Sequence, residues 1–154
     1  MVRLIGALML ILVLVIPSFG QQSLIGTYKL VSHEAQVEGT TYYTMGKAPH
    51  GYLIITPTLY VTFYVGDDRK FGTSAAEKAT LLDTLAAWSG KYRIEGSKMI
   101  ISVDTSWTGV WTGKDQVRNF TVSGNRLILQ GEPSPFPRDP SKTSVVRTVW
   151  EKIE

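Results

Sequence analysis

After its first two dozen residues, the chain alternates apolar and polar side chains in short stretches, and almost every stretch ends in a turn. Residues 24–37 set the pattern. Leu24, Gly26, Tyr28, Leu30 and Ser32 fall on one side, and Ile25, Thr27, Lys29, Val31 and His33 on the other. A period of two belongs to a strand with one face buried. Residues 51–56 form a short apolar run closed by Pro57-Thr58, and residues 59–65, rich in Tyr, Val, Thr and Phe, stop at Gly66-Asp67-Asp68. Such side chains suit a pleated surface. Residues 90–95 and 98–104 flank Gly96-Ser97, residues 116–122 and 126–130 flank Ser123-Gly124-Asn125, and residues 144–153 close the chain. With residues 41–45, this makes eight or nine strands joined mostly by tight turns. Consecutive hairpins build an antiparallel meander, and closing a meander removes its two unpaired edges. The expected fold class is therefore all-β, an antiparallel eight- to nine-stranded barrel.

One segment departs from the β rhythm. Ser74-Ala75-Ala76-Glu77 reads as a capping box, in which the Ser hydroxyl and the Glu carboxylate satisfy each other's backbone amides. Leu81, Leu85 and Trp88 follow at helical spacing, and Gly90 stands as a stop. These signals predict one helix over residues 74–89. Residues 132–141 hold four of the seven prolines and read as an extended loop near the last strand.

The N-terminus has a different character. Arg3 precedes the uncharged apolar run 4–16, Pro17 breaks it, and Ser18-Phe19-Gly20 places small residues where a signal peptidase reads. This predicts a cleaved signal peptide, residues 1–20, and a secreted or periplasmic barrel domain, residues 21–154. A membrane anchor is the rival reading, but a spanning helix needs about 20 apolar residues and this run is shorter. Removing residues 1–20 takes away Arg3 and no acidic residue, so the net charge falls from +3 to +2. No cluster of Lys or Arg remains to make a nucleic-acid face. There are no cysteines, which excludes disulfides, thiolate metal sites and a lipidated cysteine, so stability must come from the core. His33 and His50 are the only histidines, and neither has a partner at metal-ligand spacing. No cofactor motif, phosphate loop or nucleophile elbow is present.

Several stretches, in order, resemble the bacterial and fungal lipocalin-like domain family, a diverged relative of the lipocalins. They are Gly26-Thr27-Tyr28 with the following alternation to Glu34, then Gly51-Tyr52-Leu53-Ile54-Ile55-Thr56 and Trp88-Ser89-Gly90-Lys91-Tyr92. Asp104-Thr105-Ser106-Trp107, Gly113 to Phe120, Gly124-Asn125-Arg126-Leu127 and Arg147-Thr148-Val149-Trp150-Glu151 complete the set. Tyr28 stands where the family pattern has Trp. Many members also carry a His-His pair in the strand aligned with Met99 to Asp104, a region that reads Ile100-Ile101-Ser102-Val103 here, so the resemblance does not extend to chemistry built on that pair. The resemblance implies a barrel closed at one end by Gly26, Tyr28, Arg147 and Trp150, with Arg147 packed across the Tyr28 ring. A guanidinium on a ring contributes roughly 0.5–2 kcal/mol.

The same resemblance turns Tyr28 and Leu30 inward, and strict alternation then carries Ser32 and Glu34 inward and His33 outward. A carboxylate inside an apolar barrel must be paired or protonated. Glu34 would neutralise Arg118 or Arg147, bond a ligand hydroxyl, or serve as a general base. Trp107 and Trp111 flank Thr108-Gly109-Val110 in a loop, where aromatics either cover a barrel mouth or stand exposed for binding. The candidate ligand contacts are thus Glu34, Tyr52, Phe63, Trp88, Trp107, Trp111 and Arg118, with Glu34 also the candidate catalytic group. The expected function is binding of a small, largely apolar molecule inside the barrel, under a mouth covered by the 74–89 helix and the 105–113 loop. A cofactor-free isomerase, cyclase or hydratase is the alternative on fold analogy, and a filled barrel acting as an interaction module is a third.

Overall fold

A computed structural model describes residues 24–136 and 138–154; the expected signal segment, residues 1–20, lies outside them. In chain order the elements are β1 (Gly26–Val37), β2 (Thr40–Tyr42), β3 (His50–Ile55), β4 (Leu59–Val65), α1 (Ala75–Asp83) and β5 (Leu85–Glu95). They continue with β6 (Lys98–Ser106), β7 (Asp115–Ser123), β8 (Arg126–Gly131), β9 (Ser134–Phe136) and β10 (Asp139–Lys152). All ten strands belong to one sheet, and every pairing is antiparallel. β1 bonds β10 from Tyr28↔Lys152 to Val37↔Ser144, which closes the sheet on itself. Eight strands make the barrel, while β2 and β9 are short additions at its rim. The all-β barrel expected from the alternation is the fold observed.

The register sorts the two ends. Gly26 lies against Ile55, and the β5–β6 and β7–β8 turns sit at that same end. It is plugged by Leu24, Tyr28, Tyr92 and Leu127, all buried. Tyr28 Oη donates to Leu24 O at 2.8 Å, and Tyr92 Oη to Thr56 O at 2.9 Å. Gly26 has φ 151°, and a Cβ there would meet the Glu154 carbonyl. Glycine is what lets the C-terminal residues close over this end. The β4–β5 connection and the loop between β6 and β7 emerge at the opposite end.

Three sequence expectations about elements need correction. The helix stops at Asp83 instead of reaching residue 89. Its start is as expected: Glu77 N donates to Ser74 Oγ at 3.3 Å, and Ser74 N to Glu77 Oε2 at 2.9 Å. None of its residues is buried, however, so no apolar face holds it together beyond the Thr84 cap. Leu85 enters a ladder with β4, from Leu85↔Val65 to Leu59↔Lys91. Along β5, Ala86, Trp88, Gly90 and Tyr92 point inward at period two. The same residues satisfy both a helical and a strand pattern, and barrel closure selects the strand. Gly90 is thus a strand residue at the bulge against Val103, not a helix stop.

The proline-rich 132–141 segment is likewise only partly a loop. Ser134, Pro135 and Phe136 form the edge strand β9 along β10. Proline is tolerated on an edge because its missing N–H faces no ladder. Phe136 packs with Ala35, Val37 and Tyr42 in a small second core, its ring 5.2 Å from that of Tyr42.

Candidate ligand-binding cavity

The barrel interior keeps a cavity of about 500 Å³, within the range of small-molecule sites. Its inner wall is aromatic: Tyr60 and Tyr64 from β4, Trp88 from β5, Trp111 from the β6–β7 loop and Trp150 from β10. The rings brace one another. Tyr60 stacks on Trp88 at 6.2 Å, Tyr64 meets Trp88 and Trp150 edge-on at 5.8 and 6.0 Å, and Trp111 meets Trp88 edge-on at 5.0 Å. Such edge contacts hold rings at fixed angles and add about 0.5–1.5 kcal/mol per pair. Toward the mouth the lining passes to the exposed residues Asp115, Glu132, Pro133 and Ser134.

β1 contains an irregularity that reverses the expected inside and outside. Between Leu30 and Ser32 the register against β10 slips by one residue, leaving Val31 extra and exposed. A bulge of this kind shifts the parity of everything that follows. His33, expected outside, therefore points inward, is 7% exposed and lines the cavity. Glu34, expected inside, is turned away from it and forms an ion pair with Arg147 across the β1–β10 seam, Oε2 to Nη1 3.3 Å. Glu34 is thus not among the residues that line this cavity.

His33 is held by Thr44, whose Oγ1 lies 2.8 Å from its Nδ1, and its ring leans on Tyr64 at 5.2 Å. Burial, reinforced by the Arg118 charge, lowers its pKa to about 4, so the imidazole is neutral at physiological pH. Burial pushes the Tyr60 hydroxyl up to about 12 and raises Tyr64 as well. The two phenols therefore enter the cavity as neutral groups.

Arg118 brings the positive charge. β7 places it opposite Met99 and Gly131, on the inward face. Its guanidinium lies 6.0 Å from the Trp88 ring centroid and donates to Val117 O at 2.8 Å and to Gln116 Oε1 at 3.2 Å. Trp88 Nε1 is buried and has no acceptor among the described residues, and an indole N–H can only donate.

Of the residues expected to touch ligand, Trp88, Trp111 and Arg118 share the cavity. Trp107 stands behind them, 4.8 Å from Trp111 and 6.2 Å from Trp88, and supports the wall without lining it. Tyr52 and Phe63 face each other on the outer surface at 5.8 Å and are exposed. The phase of β3 and β4 is set by Leu53, Ile55, Tyr60, Thr62 and Tyr64 turning inward, which sends the intervening residues out. Arg147 does not cover Tyr28. The pairing Tyr28↔Lys152 puts Arg147 five residues away, roughly 16 Å along the strand. Lys152 takes that place, its Nζ 5.8 Å from the Tyr28 ring and donating to Ile25 O at 2.7 Å.

Among the lining residues that sequence reasoning left out are His33, Tyr60, Tyr64 and Thr148, while Trp150 was assigned only to the barrel end. The signal for the tyrosines was present, since Tyr60, Thr62 and Tyr64 alternate as strictly as their neighbours; the choice of face was not. α1 contributes nothing to the lining, although its connection lies at the mouth end. Among the described residues no group of three or more His, Cys, Asp or Glu side chains gathers to hold a metal.

The sequence model of a family described as a lipocalin-like domain matches residues 25–153. No curated protein matches the chain.

Proposed function

Since the chain belongs to the lipocalin-like domain family, we propose that it is an exported carrier that binds one small, largely apolar molecule inside its barrel. The observation that carries this reading is the cavity of about 500 Å³ walled by Tyr60, Tyr64, Trp88, Trp111 and Trp150. A closed eight-stranded barrel is just wide enough for one such ligand, and braced rings provide a preformed apolar wall. Export rests on the composition of residues 1–20. The test is native mass spectrometry of the protein purified from its own cell envelope or medium, followed by tryptophan quenching with apolar aromatic probes. A retained small molecule or saturable quenching supports the carrier. A bare mass together with no quenching by any probe rejects it.

A second reading, a cofactor-free isomerase, cyclase or hydratase, is favoured by one feature. His33 presents a neutral imidazole to the cavity with its Nδ1 held by Thr44, and a fixed neutral imidazole is a competent proton acceptor. The acid–base role considered for Glu34 passes to His33 in that case. Loss of turnover in His33→Gln with probe binding retained would distinguish an enzyme from a carrier.

A further inference from the structure

Charge is distributed unevenly around the cavity. Two carboxylates border it, and both are already engaged away from Arg118. Asp115 accepts from Ser102 Oγ at 2.7 Å and pairs with Arg93 at 3.3 Å, while Glu132 pairs with Lys98 at 3.4 Å. Among the described residues no carboxylate pairs with Arg118. Two of its five N–H donors are taken, both by neutral oxygens, Val117 O and Gln116 Oε1. The ring beneath it, Trp88, adds a buried N–H without an acceptor. One wall therefore offers a cation and spare donors, and no anion answers them.

We propose that the ligand of this cavity is a flat aromatic or conjugated organic acid whose anionic group pairs with Arg118 while its rings lie against Trp88, Trp111 and Trp150. The inference rests on the carrier reading above and deepens it. A planar guanidinium matches a carboxylate in two-pronged geometry, and the low dielectric of an aromatic enclosure strengthens the pair relative to water. The buried neighbours do not oppose that charge. His33, Tyr60 and Tyr64 are neutral at physiological pH, so none of them repels an anion. A neutral apolar molecule of the same shape would leave the Arg118 charge unanswered.

The experiment uses a matched pair of probes, naphthalene-2-carboxylate and naphthalene-2-carboxamide, titrated by tryptophan quenching at pH 7.5. The carboxylate is expected to bind at least tenfold more tightly than the carboxamide, and its affinity is expected to fall with added salt while that of the carboxamide does not. In Arg118→Gln the two probes should bind equally, and in Arg118→Lys part of the carboxylate preference should return. Binding of both probes with equal affinity to the unaltered protein overturns this inference and leaves the carrier reading standing. Failure of both probes to bind overturns this inference, and the carrier reading falls with it only where native mass spectrometry also returns a bare mass. A carboxylate preference that survives Arg118→Gln, in a variant whose melting curve shows it folded, overturns the assignment to Arg118.

Discussion

Glu34 and Arg147 lie opposite each other on the strands that close the barrel, their charges 3.3 Å apart on the side away from the cavity. They are 113 residues apart in sequence, so the pair forms only when the barrel shuts. Both side chains are partly shielded, and such a pair is worth more than a fully exposed one. A double-mutant cycle of Glu34→Gln and Arg147→Gln in urea denaturation should return a coupling of about 1 kcal/mol. Neither change should alter the binding of an apolar probe. A large loss of probe affinity in Glu34→Gln would place that carboxylate back in the site.

His33 should make the barrel acid-sensitive. Its folded pKa, about 4, lies below its ordinary value of 6.5. Between those limits the unfolded chain takes up a proton that the native one refuses. Stability is therefore unaffected by this group above pH 6.5 and declines as the pH falls toward 4, by on the order of 3 kcal/mol in total. Urea midpoints measured from pH 7.5 to pH 4 should show the decline, and His33→Gln should flatten it. An unchanged slope in the variant would assign the sensitivity to other groups.

Gly90 occupies a position that admits no side chain. A Cβ there would run into the Ser102 carbonyl and stand 3.0 Å from Val103 Cα, both backbone atoms of β6. The bulge at Ser89/Gly90 brings the two strands this close. Gly90→Ala should cost about 2–4 kcal/mol, read as a lower urea midpoint with an unchanged slope. A midpoint equal to that of the parent would mean the bulge opens freely.

The plug at the closed end depends on a buried hydroxyl. Tyr28→Phe removes the 2.8 Å bond to Leu24 O and leaves that carbonyl without its donor. The expected penalty is roughly 1–2 kcal/mol, seen as a melting temperature lower by several degrees, with probe affinity maintained because Tyr28 is not part of the cavity lining. Retention of the parent melting temperature would show that the hydroxyl contributes nothing net.

How far the site was legible depended on whether local spacing carried the information. Trp88, Trp111 and Arg118 were recognisable as chemistry-bearing residues, and they do share one cavity. His33 and Glu34 were exchanged because a single extra residue, Val31, reverses the face of the rest of β1, and nothing in the alternation marks where a bulge falls. Tyr52 and Phe63 were taken for ligand contacts by type, although Tyr60 and Tyr64 carry equal aromatic character on the opposite face. Trp88 was placed on a helix because residues three and four apart in a short segment can also be read two by two.

What the chain determines by itself is the all-β class, the order and approximate bounds of most strands, the turns between them and the capping box that starts α1. Each of these depends on side chains and backbone conformations a few residues apart, where steric and hydrogen-bond preferences act without help from the rest of the fold. The bulge at Val31, the end of α1 at Asp83, the Lys152–Tyr28 contact and the isolation of Arg118 from every described carboxylate were decided by barrel closure. Joining β1 to β10 imposes a register on all eight barrel strands at once, and that register, set by the collective burial of one face, chooses which residues meet inside.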